Sequence, residues 1–210
     1  RIYLLGFSNV NVSMESANDA LSFHTETLGI IHTFWPVDNH YFTHYDSISF
    51  GIRQYTKSIH QGSYTGELNC TFEPNGSQLN YNSQSVVAVD SIQNIFTLLA
   101  RVSYQSVEDL DTKWFPMNHE GVPHRARFLW AGTDTLDINN ADIVCDHYRL
   151  DIEKAKGEFV QVSPWDYFTD HVSSSKAIRQ IWVEQNDKRR IIKATVSIYG
   201  MTVTAEIQEK

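Results

Sequence analysis

A chain of 210 residues that is 41% hydrophobic and 20% charged has enough apolar material for a core, which argues against disorder. Its formal net charge of −8 argues against a polyanionic partner such as nucleic acid, and the one basic cluster, Lys188-Arg189-Arg190, sits where a turn between strands is expected. No apolar run approaches the ~20 residues of a membrane-spanning helix, and an aromatic share of 12% favours strands.

In chain order, Leu21 to Thr27 alternates apolar and polar and predicts a strand, and Leu28, Ile31 and Trp35 have the spacing of a short helix closed by Pro36. His40–Ser47, Ser49–Ser58 and Ser63–Phe72 predict consecutive strands, a meander with breaks near Asp46-Ser47, Gln61-Gly62 and Pro74-Asn75-Gly76. A helix follows over 90–102: Asp90 is a candidate N-cap with Gln93 three residues on, and Ile92, Ile95, Phe96, Leu99 and Val102 form one apolar face. Strands are then expected at Trp114–Met117, Arg125–Trp130, Asp142–Ile152, Glu158–Val162 and Ala177–Glu184, with a long surface loop over Ser163–Lys176.

The last segment specifies its own pairing. Ile192, Ala194, Val196 and Ile198 share one face, and after Tyr199-Gly200 the apolar parity passes to Met201, Val203, Ala205 and Ile207. A two-residue turn there sets Ile198 opposite Met201, Val196 opposite Val203 and Ala194 opposite Ala205, and a one-residue slip would turn the whole set to water. The expected architecture is one β-rich domain over 1–210. It is a strongly curved antiparallel sheet or β-barrel with one packed helix and a C-terminal hairpin.

No catalytic signature emerges. His40, His44 and Asp46 could share a strand face, but zinc takes three or four protein ligands; a further one would have to arrive from a distant strand, such as His147 or His24, and the sequence gives no sign of that pairing, so no bound metal and no cofactor are expected. His119-Glu120 and His124 could hold a general base, although Gly121-Val122-Pro123 suggests a solvated hairpin loop. The acid pairs Asp109/Asp111, Asp134/Asp137 and Asp142/Asp146 are the material of a glycan hydrolase only if two of them face one cleft. Cys70 lies on an apolar alternating face and reads as buried. Cys145 shares a face with His147, and a bridge between the two cysteines stays open. What remains is a wealth of rings, from which Tyr41, Trp130, Tyr148 and Trp182 are selected as a ligand-binding set on the curved face.

Several segments resemble a bacterial exported family, domain of unknown function 3108: the stretch from Leu21 to Ile30, Tyr41 to Asp46, Tyr55 to Gly62, and Cys70-Thr-Phe-Glu-Pro. Asp90-Ser-Ile-Gln-Asn-Ile-Phe-Thr-Leu-Leu-Ala-Arg is similar to that family's helix start. The run from Ile181 through Lys188-Arg189-Arg190 to Ile207 is similar to its ending, with Ile192 where the family often carries proline. The resemblance implies a barrel-like fold and an exported protein, periplasmic or associated with the outer membrane, and it supplies no catalytic residues. A sequence opening at Arg1 is expected to be a mature or trimmed form, with an upstream export signal or lipoprotein anchor left open. The functional expectation is a non-enzymatic envelope protein that binds a lipid-like or glycan ligand, or an envelope partner; the alternative is a glycan hydrolase using loop carboxylates.

Overall fold

A computed structural model of the chain describes residues 2–4, 7–17, 19–82, 84–159, 161–162 and 166–207. The first half holds β1 (Ile2–Leu4), β2 (Phe7–Ala17), β3 (Ala20–Thr27), α1 (Gly29–Phe34), β4 (Val37–Tyr45), β5 (Ile52–Gln61), β6 (Tyr64–Glu73), β7 (Gln78–Tyr81) and β8 (Ser85–Val87). Then come α2 (Ile95–Tyr104), α3 (Val107–Leu110), β9 (Trp114–His119), β10 (Val122–Ile138), β11 (Ala141–Lys154) and α4 (Tyr167–Ser173). The chain closes with β12 (Ile178–Glu184), β13 (Ile191–Ile198) and β14 (Met201–Glu206).

All fourteen strands join one antiparallel sheet in the order β8-β7-β6-β5-β4-β3-β2-β1-β14-β13-β12-β11-β10-β9. Two meanders are thus spliced where β1 pairs with β14, Ile2 opposite Ala205. The sheet does not close on itself: β8 and β9 are its two ends. Side chains and short bridges span the gap instead. Gln93 pairs with Met117 of β9, the Ile92 carbonyl accepts from Ile52 N–H of β5, and the Tyr81 hydroxyl of β7 donates to Asn118 Oδ1 at 2.7 Å.

These contacts explain where the helix starts. Gln93 N–H donates to Pro116 O and its carbonyl accepts from Asn118 N–H, so residues 92–93 serve as an extended tie between strands. The capping box therefore forms at Asn94 with Thr97, four residues later than the expected cap at Asp90. Asp90 instead binds Arg53, Nη1 to Oδ1 at 2.6 Å. Helix α2 fills the concave side of the sheet. Phe96, 1% exposed, packs on Tyr41, Tyr55 and Phe23.

The C-terminal hairpin has the expected register, Ile198 opposite Met201, Val196 opposite Val203 and Ala194 opposite Ala205. Tyr199 and Gly200 both take positive φ, 51° and 81°, the geometry of a type I′ turn. The contrast between its faces is weaker than the alternation suggests: Thr195 on the polar face is buried, and Met201 on the apolar face is 55% exposed. Two further expectations are corrected. Glu158 and Phe159 are outside any strand, as are 161 and 162; Val162 N–H donates to the Glu120 carbonyl. The expected loop over 163–176 contains α4, capped by Asp166, whose carboxylate accepts from Phe168 and Thr169 N–H; Trp165 lies outside the described residues.

Candidate functional site

Alternation along β2 to β6 sends one set of side chains inward to the core and the other to an outer face. On that outer face lies an open groove of about 550 Å³, lined by Ser13 and Glu15 (β2), Ser22 and His24 (β3), His40 and Phe42 (β4), Thr56 and Ser58 (β5), and Glu67 and Asn69 (β6). Phe42, 37% exposed, is the one outward aromatic ring among them; hydroxyls, carboxylates, imidazoles and an amide make up the rest.

One end of this face carries a histidine cluster. The β3–β4 ladder sets His24 opposite His40, and their rings stack with centroids 4.1 Å apart and planes 6° from parallel. Asp38, two residues before His40 on the same face, offers one oxygen to both: Oδ1 is 2.8 Å from His24 Nε2 and 3.0 Å from His40 Nε2. The His24 hydrogen bond is the main cause that holds the Asp38 carboxyl below its ordinary value, against the partial burial that would raise it. The sequence grouping of His40, His44 and Asp46 does not form. His44 pairs with Asp19 at 3.0 Å, while Asp46 lies beyond the strand and binds Ser49 and Arg53. Those contacts bring its carboxyl down to about 2, the Ser49 backbone N–H contributing most.

Inside the sheet is a second polar constellation that sequence reasoning assigned to solvent. Glu120 and Gly121 form a two-residue turn between β9 and β10, both at positive φ (48° and 93°), which folds the Glu120 side chain into the interior, 3% exposed. There its Oε1 receives the Lys57 ammonium and, at 3.5 Å, the Tyr55 hydroxyl. Lys57 also lies 3.5 Å from Asp166 Oδ2, whose Oδ1 accepts from the Tyr41 hydroxyl at 3.1 Å. Beside them His119 Nε2 is 2.9 Å from Asp170 Oδ1, and Gln161 Nε2 reaches the same oxygen at 2.8 Å. Burial raises the Glu120 carboxyl above its ordinary value, with Lys57 and His119 pulling the other way. The void touching Glu120 and His119 measures about 10 Å³, room for one water at most.

The four rings selected from the sequence do not meet. Tyr41 belongs to the groove lining but turns its hydroxyl to Asp166 in the interior. Tyr148 is fully buried and pairs in register with Trp130, which shares its face beyond the core and is 44% exposed. Trp182 points to the opposite face, 8% exposed, stacked on His147 at 4.3 Å and donating Nε1–H to Asp134 at 2.7 Å. Cys145 and Cys70 are free, and burial pushes their thiols up to about 11 and about 12, so neither is a thiolate at neutral pH. Members of the candidate acid pairs are held by other groups: Asp111 accepts from Trp130 N–H, Asp134 from Trp182 with His147 beside it, Asp137 from Asn140 N–H, and Asp146 from Gln185 and Arg189. Glu15 and Glu67 were not singled out by sequence reasoning, and His24 was considered only as a metal ligand from a distant strand. The signal available for them was their outward parity on long alternating strands, which needs the strand register to become a site.

Among solved structures, the chain is similar to a beta-barrel-like protein of domain of unknown function DUF1849 from Brucella abortus. The TM-score is 0.57 at 5% identity, over 94% of this chain and 84% of that one, a likeness of fold alone. A DUF1089 family protein from Pseudomonas aeruginosa matches at TM-score 0.36 and 8% identity, over 93% and 88% of the two chains, and carries no argument. No curated protein matches, and no protein-family model matches, that of domain of unknown function 3108 included. The chain has the fold of a β-barrel-like domain of unknown function, mainly antiparallel β with an unclosed sheet.

Proposed function

We propose that this protein is a non-enzymatic binding domain of the bacterial cell envelope, and that its ligand is a glycan held along the outer groove of β2 to β6. The observation that carries the reading is the groove itself. One exposed ring, Phe42, is set among hydroxyl, amide, imidazole and carboxylate groups over about 550 Å³. A sugar presents an apolar C–H face to stack on a ring and a fringe of hydroxyls to bond to polar neighbours. A lipid-like ligand would need an apolar cavity, and the concave side is filled by Phe96, Tyr41, Tyr55 and Phe168. The hydrolase alternative finds little support, since Glu120 and Asp146 are buried and held by Lys57 and by Gln185. The envelope location rests on the resemblance of the sequence segments to an exported family.

Isothermal titration with soluble oligosaccharides released from bacterial cell walls tests the binding. Saturable binding is expected, weakened roughly two- to twelvefold in Phe42→Ala, the loss of about 0.5–1.5 kcal/mol of ring stacking. Binding untouched by that substitution would remove the groove from the account. Fractionation of cells producing the full-length gene product tests the location, with recovery from the periplasm or outer membrane expected and recovery from the cytosol opposing it.

A further inference from the structure

The histidine cluster on the outer face has the donor set of a metal site. One ring nitrogen each of His24 and His40 and an Asp38 carboxylate oxygen all lie within 4.8 Å of one another. Sequence spacing disfavoured a metal because His40 and His44 had only Asp46 as a further ligand on their strand face. The β3–β4 register supplies the missing donor by setting His24 directly across from His40 and diagonal to Asp38. Two neutral imidazoles and one carboxylate are the ligands of a late first-row divalent cation, zinc foremost, in a site with three protein ligands and an open position.

The geometry is close to what coordination requires. A tetrahedral ion at about 2.0–2.2 Å from each donor holds them roughly 3.3 Å apart; the two nitrogens now sit 2.8 and 3.0 Å from the shared oxygen. The stacked rings need to fan apart so that their Nε2 lone pairs converge. Their setting permits it, because the side chains of His40 and Asp38 are 61% and 58% exposed. In the metal-bound form each ring carries its proton on Nδ1, which leaves both Nε2 lone pairs to the ion. Such an arrangement is not needed for folding, since an exposed ion pair contributes about 0–1 kcal/mol.

We infer that His24, Asp38 and His40 form a zinc-class metal site whose open position faces the outer groove. This inference stands apart from the glycan reading, and its test contains no sugar. The purified protein is stripped with chelator and titrated with Zn²⁺, and separately with Co²⁺ as a spectroscopic probe. One equivalent should bind, and Co²⁺ should give the intense visible bands of a four- or five-coordinate site. Affinity should fall at least tenfold in His24→Ala, in His40→Ala and in Asp38→Asn. It should be unchanged in His44→Ala, whose ring pairs with Asp19 instead. Circular dichroism of each variant establishes that it is folded. Absence of stoichiometric binding, or an equivalent that survives in a folded His24→Ala/His40→Ala double variant, would overturn the assignment.

Discussion

Lys57 of β5 and Glu120 of the β9–β10 turn meet as an ion pair with side chains 0% and 2% exposed, tying the first meander to the edge of the second. Lys57 has Asp166 as a further partner at 3.5 Å, so removing the cation strands two buried carboxylates. Lys57→Met should therefore destabilise by about 3–5 kcal/mol, the cost of breaking a buried pair from one side. Adding Glu120→Gln to that variant should restore much of the loss, because the amide needs no counter-charge. Urea unfolding of the two single variants and the double variant measures both effects, and a double variant no more stable than Lys57→Met contradicts the account.

Phe96 anchors α2 against Tyr41, Tyr55 and Phe23 and is 1% exposed. Phe96→Ala should cost about 3–5 kcal/mol, transfer and cavity terms together. A denaturation midpoint equal to wild type would show that the helix is peripheral to the core.

His124 provides a pH dependence with a defined sign. Burial is the main cause that brings its imidazole down from 6.5 to about 4, against a hydrogen bond with the Val122 carbonyl that works to raise it. Its folded value is depressed, so the unfolded chain takes up the proton first, and protonation favours unfolding. Stability from this residue is intact above pH 6.5 and declines as pH falls from 6.5 toward about 4. His124→Asn should flatten the stability profile within that window, read as the difference between the two proteins' unfolding curves.

Gly200 sits at φ +81° with open space where a Cβ would stand, so the cost of a side chain there is conformational rather than steric. Gly200→Val should destabilise the C-terminal hairpin by roughly 1–2 kcal/mol, the penalty of a left-handed backbone for a branched residue. Thermal unfolding should register a lower Tm, and an unchanged Tm would show that β13 and β14 are held by their neighbours alone.

Local patterns made part of this fold legible. The register of Ile198 with Met201 followed from parity plus a two-residue turn, and β3 through β6 followed from alternation broken at turn-forming residues such as Asp46-Ser47, Gln61-Gly62 and Pro74-Asn75-Gly76. The start of α2 did not, because the ties from residues 92–93 to Ile52, Pro116 and Asn118 are non-local and override a local cap at Asp90. The interior cluster was hidden for the same reason. Lys57, Glu120 and Asp166 are far apart in the chain, and a Glu-Gly turn looks the same in sequence whether its carboxylate faces water or Lys57. His24 and His40 each sat on a readable strand, yet only the β3–β4 pairing makes them neighbours.

The central claim is that recognition occurs on the outer face of β2 to β6, and amide chemical-shift mapping tests it most directly. Isotope-labelled protein is titrated with soluble cell-wall oligosaccharides while every backbone amide is followed. The account predicts saturable shifts concentrated at Ser13, Glu15, Ser22, Phe42, Ser58, Glu67 and Asn69, which line the groove, and little change near Trp130. Shifts centred on Trp130 and the mouth of the concave side, or no shifts at millimolar oligosaccharide, would contradict it.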